Sequence, residues 1–276
     1  MDVFSLFWLV LILFSLWPVM QQQRIQRARL AWLRRVQRRT GGRVITLIHR
    51  QEGTGLLALL GRRFITIEDS EKVLRAIRAT PPEVPIDLIL HTPGGLVLAA
   101  EQIAHALRRH PARVRVMVPH YAMSGGTLIA LAADEIWMDE NAVLGPVDPQ
   151  LGNYPAASLL RAVARKGPEK VDDQTLILAD LAGKAVHQVA ETVAELVAHQ
   201  LPPERVRPVA RALSEGRWTH DFPITCDMLR EMGFRVHCEL PDEVYQLMEL
   251  YPQPDARRPS VQYVPQPEPL PQGARD

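Results

Sequence analysis

An α/β fold built on a mostly parallel sheet is predicted by three features of this 276-residue chain. Short apolar runs of strand length alternate with amphipathic stretches of helix length. The runs RVITLIHR and IDLILH are dominated by apolar residues, as buried strands require. Two apolar runs lead into a Gly-Gly turn that opens a helix. At 47% hydrophobic and 23% charged the composition is globular. Lys+Arg 32 against Asp+Glu 31 leaves a formal charge of +1, which excludes a dedicated nucleic-acid binder. Two cysteines, Cys226 and Cys238, are too few for a disulfide framework or a paired CxxC zinc site. The residues call for no metal and no cofactor.

Taken in order, Val3 to Met20 is eighteen residues without a charge. As a helix it reaches about 27 Å, enough to cross a hydrocarbon core. It lacks the basic leading region and small-residue cleavage site of a signal peptide, so residues 1–20 read as an uncleaved transmembrane anchor. Gln21 to Thr40 carries seven arginines and no acidic residue. That asymmetry predicts a single-pass protein of the cell membrane with the rest of the chain cytoplasmic. Ile25, Ala28, Trp32 and Val36 recur at helical spacing, so residues 21–42 read as a basic juxtamembrane helix able to lie on anionic lipid headgroups.

Residues 43–251 form the folded domain. Strands are expected at Arg43 to Arg50, Phe64 to Ile67, Ile86 to His91, Val114 to Val118 and Ile136 to Met138, with a further apolar run near Leu57 to Leu60. Helices are expected at Ser70 to Ala79, Val97 to Arg109, Thr127 to Ala133 and, longest, Asp173 to His199. Residues 252–276 hold seven prolines and no periodicity, the composition of a disordered tail.

The chemistry concentrates at the two glycine turns, Thr92-Pro93-Gly94-Gly95 and Met123-Ser124-Gly125-Gly126. Both follow buried strands of the same direction, so both lie at the carboxyl edge of the sheet, where α/β sites form. A serine at such a strand-to-helix bend exposes its hydroxyl. Backbone N–H groups at the helix start and in the facing Gly-Gly turn can converge as an oxyanion hole.

Four blocks carry a resemblance: HTPGGLVLAAEQIAHAL, AMSGGTLIALAADEIWMDENAVLGPVDPQLG, DDQTLILADLAGKAVHQV and SEGRWTHDFPI. Together they resemble the serine dehydrogenase proteinase family of membrane-bound Clp-fold serine proteases. The resemblance implies a Clp/crotonase-type spiral of ββα units following the N-terminal transmembrane helix. It implies Ser124 as nucleophile, and Gly94 or Gly95 together with Gly125 as oxyanion-hole donors. It also implies a polypeptide substrate and a homo-oligomer, with the helix from Asp173 as interface element. Neither a G-x-G-x-x-G fingerprint nor a pyridoxal-lysine motif is present, so dehydrogenase activity is not expected.

The general base is the open position. Clp proteases place a histidine in the stretch that here reads NAVLGPVDPQ, which holds Asp148 instead. Related membrane proteases of the signal peptide peptidase A and stomatin-partner types use a Ser-Lys dyad, the lysine lying near the start of a long helix. Lys170 matches that placement best, ahead of Lys184 and Lys166. A lysine base must be held neutral by burial. His220, with Asp221 beside it, is the remaining alternative, since the HD pair sits where Clp proteases carry their acid. His91 reads as a structural strand-end histidine, and Lys184 is also explained by an i,i+4 pair with Asp180. The reading is therefore a membrane-anchored serine peptidase acting through a Ser124 acyl-enzyme. Its alternatives are a crotonase-type acyl-CoA enzyme, which would not need Ser124, or a non-catalytic membrane scaffold.

Overall fold

The computed structural model describes residues 3–49 and 64–251, with the side chains of 3–15 and 18 excepted. The apolar run near Leu57 to Leu60 and the proline-rich tail lie outside the described residues.

Five parallel strands form the central sheet: β1 (Arg43–Ile48), β2 (Ile86–His91), β3 (Val114–Val118), β5 (Glu135–Met138) and β9 (Val236–His237), in the order β1-β2-β3-β5-β9. Every residue of β2 and β3 is buried, as a central strand covered on both faces demands. Between them run α2 (Ile67–Arg78), α3 (Val97–Arg108) and, after a short β4 (Tyr121–Ala122), α4 (Gly125–Leu131). β4 pairs in parallel with β6 (Val143–Leu144), and β7 (Gln150–Leu151) with β8 (Tyr154–Pro155) makes a small hairpin. Then follow α5 (Ala156–Lys166), α6 (Asp173–Val197), α7 (Pro203–Ser214), α8 (Cys226–Met232) and α9 (Asp242–Glu249).

Phe64 to Ile67 does not extend as a strand. Only Ile65 bridges, to Gly95, because Thr66 caps the next helix: its hydroxyl accepts the Asp69 N–H while the Asp69 carboxylate accepts the Thr66 N–H at 2.9 Å. The short β9, whose side chains carry little apolar alternation, completes the sheet beyond β5.

The two faces of the sheet bury different layers. On one, Leu88, Leu90, Val116 and Val118 pack against α3, α4 and the buried stripe Val189, Val193, Leu196 of α6. On the other, Ile89 and Met117 meet Val244 and Leu247 of α9 and Val36 of α1 (Val3–Thr40). The arginine-rich helix is thus part of the folded domain: Val36 is fully buried, and the Arg29 guanidinium donates to the Leu250 carbonyl and stacks on Tyr251. Trp32, Leu33 and Val36 cover the sheet, while Arg34, Arg35, Arg38 and Arg39 face outward. A buried ion pair closes this face. Arg115 Nε donates to Asp87 at 2.8 Å, with the guanidinium over Trp137. Burial drives the Asp87 pKa up, against the pull of Arg115.

Among the described residues, the side chains of 3–15 and 18 left aside, no helix is long and apolar enough to cross a membrane. Cys226 and Cys238 form a single disulfide tying the start of α8 to the segment after β9.

Candidate active site

The strand-helix junction at Ser124 is a sharp bend. Ser124 takes φ 52 and ψ −115, and among the described residues it is the one non-glycine with positive φ. That region costs an L-residue of order 1–3 kcal/mol and persists only where the surroundings enforce it. Here they do. The Met123 carbonyl accepts the Gly126 N–H at 2.8 Å, the Ser124 carbonyl accepts the Thr127 N–H at 2.8 Å, and the buried Thr127 hydroxyl lies 2.9 Å from the Ala122 carbonyl and 2.8 Å from that of Gly145. The Ser124 side chain makes no capping bond to its own helix, so its hydroxyl is not spent there.

The facing turn packs directly on this bend. A Cβ on Gly94, which has φ 103, would lie 2.8 Å from the Met123 carbonyl and 2.9 Å from Ser124 Cβ. Ile65 binds the Gly94 carbonyl and the Leu96 N–H, so strand alternation turns the Gly95 N–H to the opposite side. There a Cβ on Gly125 would come 3.7 Å from the Gly95 nitrogen. The Gly94 N–H is already donated to the Thr92 hydroxyl at 3.2 Å. Of the two glycines, Gly95 is the better placed to join Gly125, the first residue of α4, in binding an oxyanion.

Ser124, Gly95, Gly125, Asp148, Gln150 and His220 line one cavity of about 270 Å³, whose apolar wall includes Phe64, Val97, Leu128, Val147 and Val189. His220 Nδ1 donates to Asp148 Oδ1 at 2.8 Å, across 72 residues of chain. Asp148 is almost wholly buried, and its second oxygen accepts Gln150 Nε2 at 2.7 Å. The hydrogen bond to Asp148 raises the His220 pKa above its ordinary 6.5, with burial working against it. A neutral imidazole with its proton on Nδ1 presents Nε2 as an acceptor, the form a general base needs.

The other candidates lie elsewhere. Lys170 is exposed in a one-turn helix at Pro168–Lys170, and Lys166 is exposed at the end of α5. Lys184 is exposed and paired with Asp180 at 2.5 Å. None of the three lines the Ser124 cavity. Asp221, the chain neighbour of His220, is exposed, and the carboxylate that holds the imidazole is Asp148. His91 is buried against the rings of His120 and Tyr121. Asp148 and Gln150 escape a sequence reading that looks for the carboxylate beside the histidine. The signal for Asp148 is positional: it lies in the NAVLGPVDPQ stretch, where the resemblance to Clp proteases leads one to look for a histidine.

A family model for ClpP-like SDH-type serine proteinases matches residues 1–276. The chain belongs to that family. As a ClpP-like SDH-type serine proteinase it is similar to the uncharacterized protein MJ0137 of Methanocaldococcus jannaschii, 56% identical over 98% of this chain and 94% of that one. A second uncharacterized protein of the same organism, MJ1495, is 54% identical over 97% and 90%. Among solved structures, the 1510-N membrane-bound stomatin-specific protease matches at TM-score 0.45 and 17% identity over 66% of this chain and 79% of its own. ClpP1 from Listeria monocytogenes matches at TM-score 0.45 and 14% identity over 76% and 98%. Membership establishes a mixed α/β, ClpP-like fold and a serine proteinase.

Proposed function

We propose that this ClpP-like serine proteinase cleaves polypeptides through a Ser124–His220–Asp148 triad and is held at a membrane by Val3 to Met20. The observation that carries the mechanism is the His220–Asp148 pair opening into the same cavity as the strained Ser124. Ser124 Oγ attacks the scissile carbonyl carbon while His220 Nε2 takes the hydroxyl proton. The Gly95 and Gly125 N–H groups bind the developing oxyanion. His220 then returns the proton to the departing amine, leaving an acyl-Ser124 ester. Water, deprotonated by the same nitrogen, attacks the ester, and His220 returns that proton to Ser124 Oγ as the acid leaves. Asp148 fixes the tautomer throughout and stabilises the imidazolium. The lysine base expected from the sequence has less support, since Lys170, Lys184 and Lys166 all stand exposed away from the cavity.

The charge-free run Val3 to Met20 and the seven arginines that follow support an anchor with the domain on the cytoplasmic side. The Cys226–Cys238 disulfide favours the reverse orientation, because such bonds are rare in reducing compartments outside hyperthermophiles. Proteolysis of the C-terminal tail in intact spheroplasts decides between them: protection supports the cytoplasmic domain, digestion the external one. Exposed Leu96, Val97 and Leu98 beside the cavity and Ile177 and Leu181 on α6 support self-association.

Digestion of a mixed peptide pool by the detergent-solubilised full chain tests the mechanism. Ser124→Ala and His220→Ala are expected to abolish cleavage, whereas Lys170→Ala, Lys184→Ala and Lys166→Ala retain it. Loss of cleavage in a lysine variant with retention in His220→Ala would overturn the triad.

A further inference from the structure

Behind the Gly94-Gly95 turn lies a second line of polar side chains, buried at Thr92 and His49 and reaching the surface at Asp69, that the proposed mechanism leaves unused. Thr92 is fully buried, and its hydroxyl meets both the Gly94 N–H at 3.2 Å and His49 Nδ1 at 3.0 Å. His49 is itself buried, with Nε2 3.4 Å from the Asp69 carboxylate. Asp69 is in turn fixed by Thr66, whose N–H and hydroxyl donate to it at 2.9 and 2.8 Å. With the imidazole proton on Nε2, toward the Asp69 carboxylate, Nδ1 is the ring's acceptor. In that tautomer Thr92 donates its O–H to Nδ1, with the Gly94 carbonyl a second acceptor at 3.4 Å, and keeps an oxygen lone pair for the Gly94 N–H. A carboxylate on α2 thereby fixes a hydrogen bond in the turn above it.

We infer that Asp69, His49 and Thr92 are positioning residues for the oxyanion hole. The inference rests on Ser124 being the nucleophile. The Gly94–Gly95 peptide joins two glycines and has little intrinsic preference of its own. Capture of the Gly94 N–H by Thr92 removes it from the cavity and holds the Pro93–Gly94 peptide, while the Ile65 N–H on the Gly94 carbonyl at 2.7 Å holds the next peptide, from which the Gly95 N–H projects toward Gly125. The packing of Gly94 on Met123 and Ser124 transmits any rotation of that turn straight to the nucleophile. The Thr92 methyl has a separate task, lying where a Cβ on Gly126 would come within 2.6 Å of it, so hydroxyl and methyl can be tested apart.

The test uses the full chain in detergent and a fluorophosphonate, whose P=O oxygen occupies the oxyanion position. Probe binding (KI) is separated from the bond-forming rate by varying probe concentration. Thr92→Val, which keeps the shape and loses the hydroxyl, is expected to slow bond formation by about 10- to 100-fold with KI changed less than about 2-fold. Thr92→Ser restores the hydroxyl and is expected to recover most of the rate. His49→Gln reports independently should Thr92→Val fail to fold, and is expected to slow bond formation in the same direction. Equal rates for wild type and Thr92→Val, or a Thr92→Ser as slow as Thr92→Val, would overturn the inference while leaving the Ser124 mechanism standing. With an unfolded Thr92→Val, a His49→Gln at wild-type rate would do the same. A wild-type chain that fails to react would overturn both.

Discussion

Asparagine at position 148 would exchange one oxygen for an amino group on a side chain that is 1% exposed, leaving packing unchanged and altering only the hydrogen bonding. The native carboxylate accepts two donors, His220 Nδ1 at 2.8 Å and Gln150 Nε2 at 2.7 Å. Asparagine has one oxygen for both. With that oxygen on Gln150, the amide N–H₂ faces Nδ1, which must now accept. The ring proton moves to Nε2, the atom that has to receive the Ser124 proton. The same exchange in the well-studied Ser-His-Asp proteases lowers kcat by about 10⁴, or about 5.5 kcal/mol at 1.36 kcal/mol per decade. Asp148→Asn is therefore expected to fold normally and to lose about four orders of magnitude in acylation rate, read by fluorophosphonate labelling. The pH dependence checks the cause. His220 must be neutral to act, and Asp148 raises its pKa above 6.5, so wild-type activity falls on the acid side through a value above 6.5. Without the carboxylate that limb moves to lower pH. The pair's contribution to stability has the matching sign, present below the unfolded-state pKa and lost as pH rises through the raised folded value. Asp148→Asn retaining more than about a tenth of the wild-type rate, with an unmoved acid limb, would refute the tautomer argument.

Three further perturbations have defined outcomes. Gly94→Ala forces a side chain into φ 103 against Met123 and Ser124, so thermal melting should show a loss of at least about 1–2 kcal/mol and labelling should fall sharply. Arg115→Ala strands the fully buried Asp87 carboxyl and is expected to cost about 3–5 kcal/mol in denaturant titration, far more than alanine at the exposed Arg207. Deleting residues 3–20 is expected to move the protein from the membrane fraction to the supernatant on centrifugation. Full retention in the membrane pellet would remove the anchor from the account.

Much of the frame is legible in the sequence because it is governed by local physics. The apolar-rich runs at Ile86 and Val114 form strands buried on both faces, their single charged residues Asp87 and Arg115 pairing with each other, and each leads on to a glycine pair where two segments of backbone come close. What is not legible is long-range. Nothing local joins His220 to a residue 72 positions earlier, so the neighbouring Asp221 is the partner that proximity suggests, and burial of Asp148 decides otherwise. Arginine-rich helices read as lipid-facing from composition, yet the sheet face at Ile89 and Met117 needs a cover and takes Val36 for it. The exposed lysines show the same limit. Their spacing from Ser124 resembles that of a dyad, but only the folded chain tells which nitrogen lines the cavity.

The most direct test is the site of covalent modification. The full chain in detergent, treated with a fluorophosphonate, digested and mapped by mass spectrometry, should carry the phosphonyl group on Ser124 and lose all labelling in Ser124→Ala. Labelling at another residue, or undiminished labelling of Ser124→Ala, would contradict the proposal that this bend presents the nucleophile.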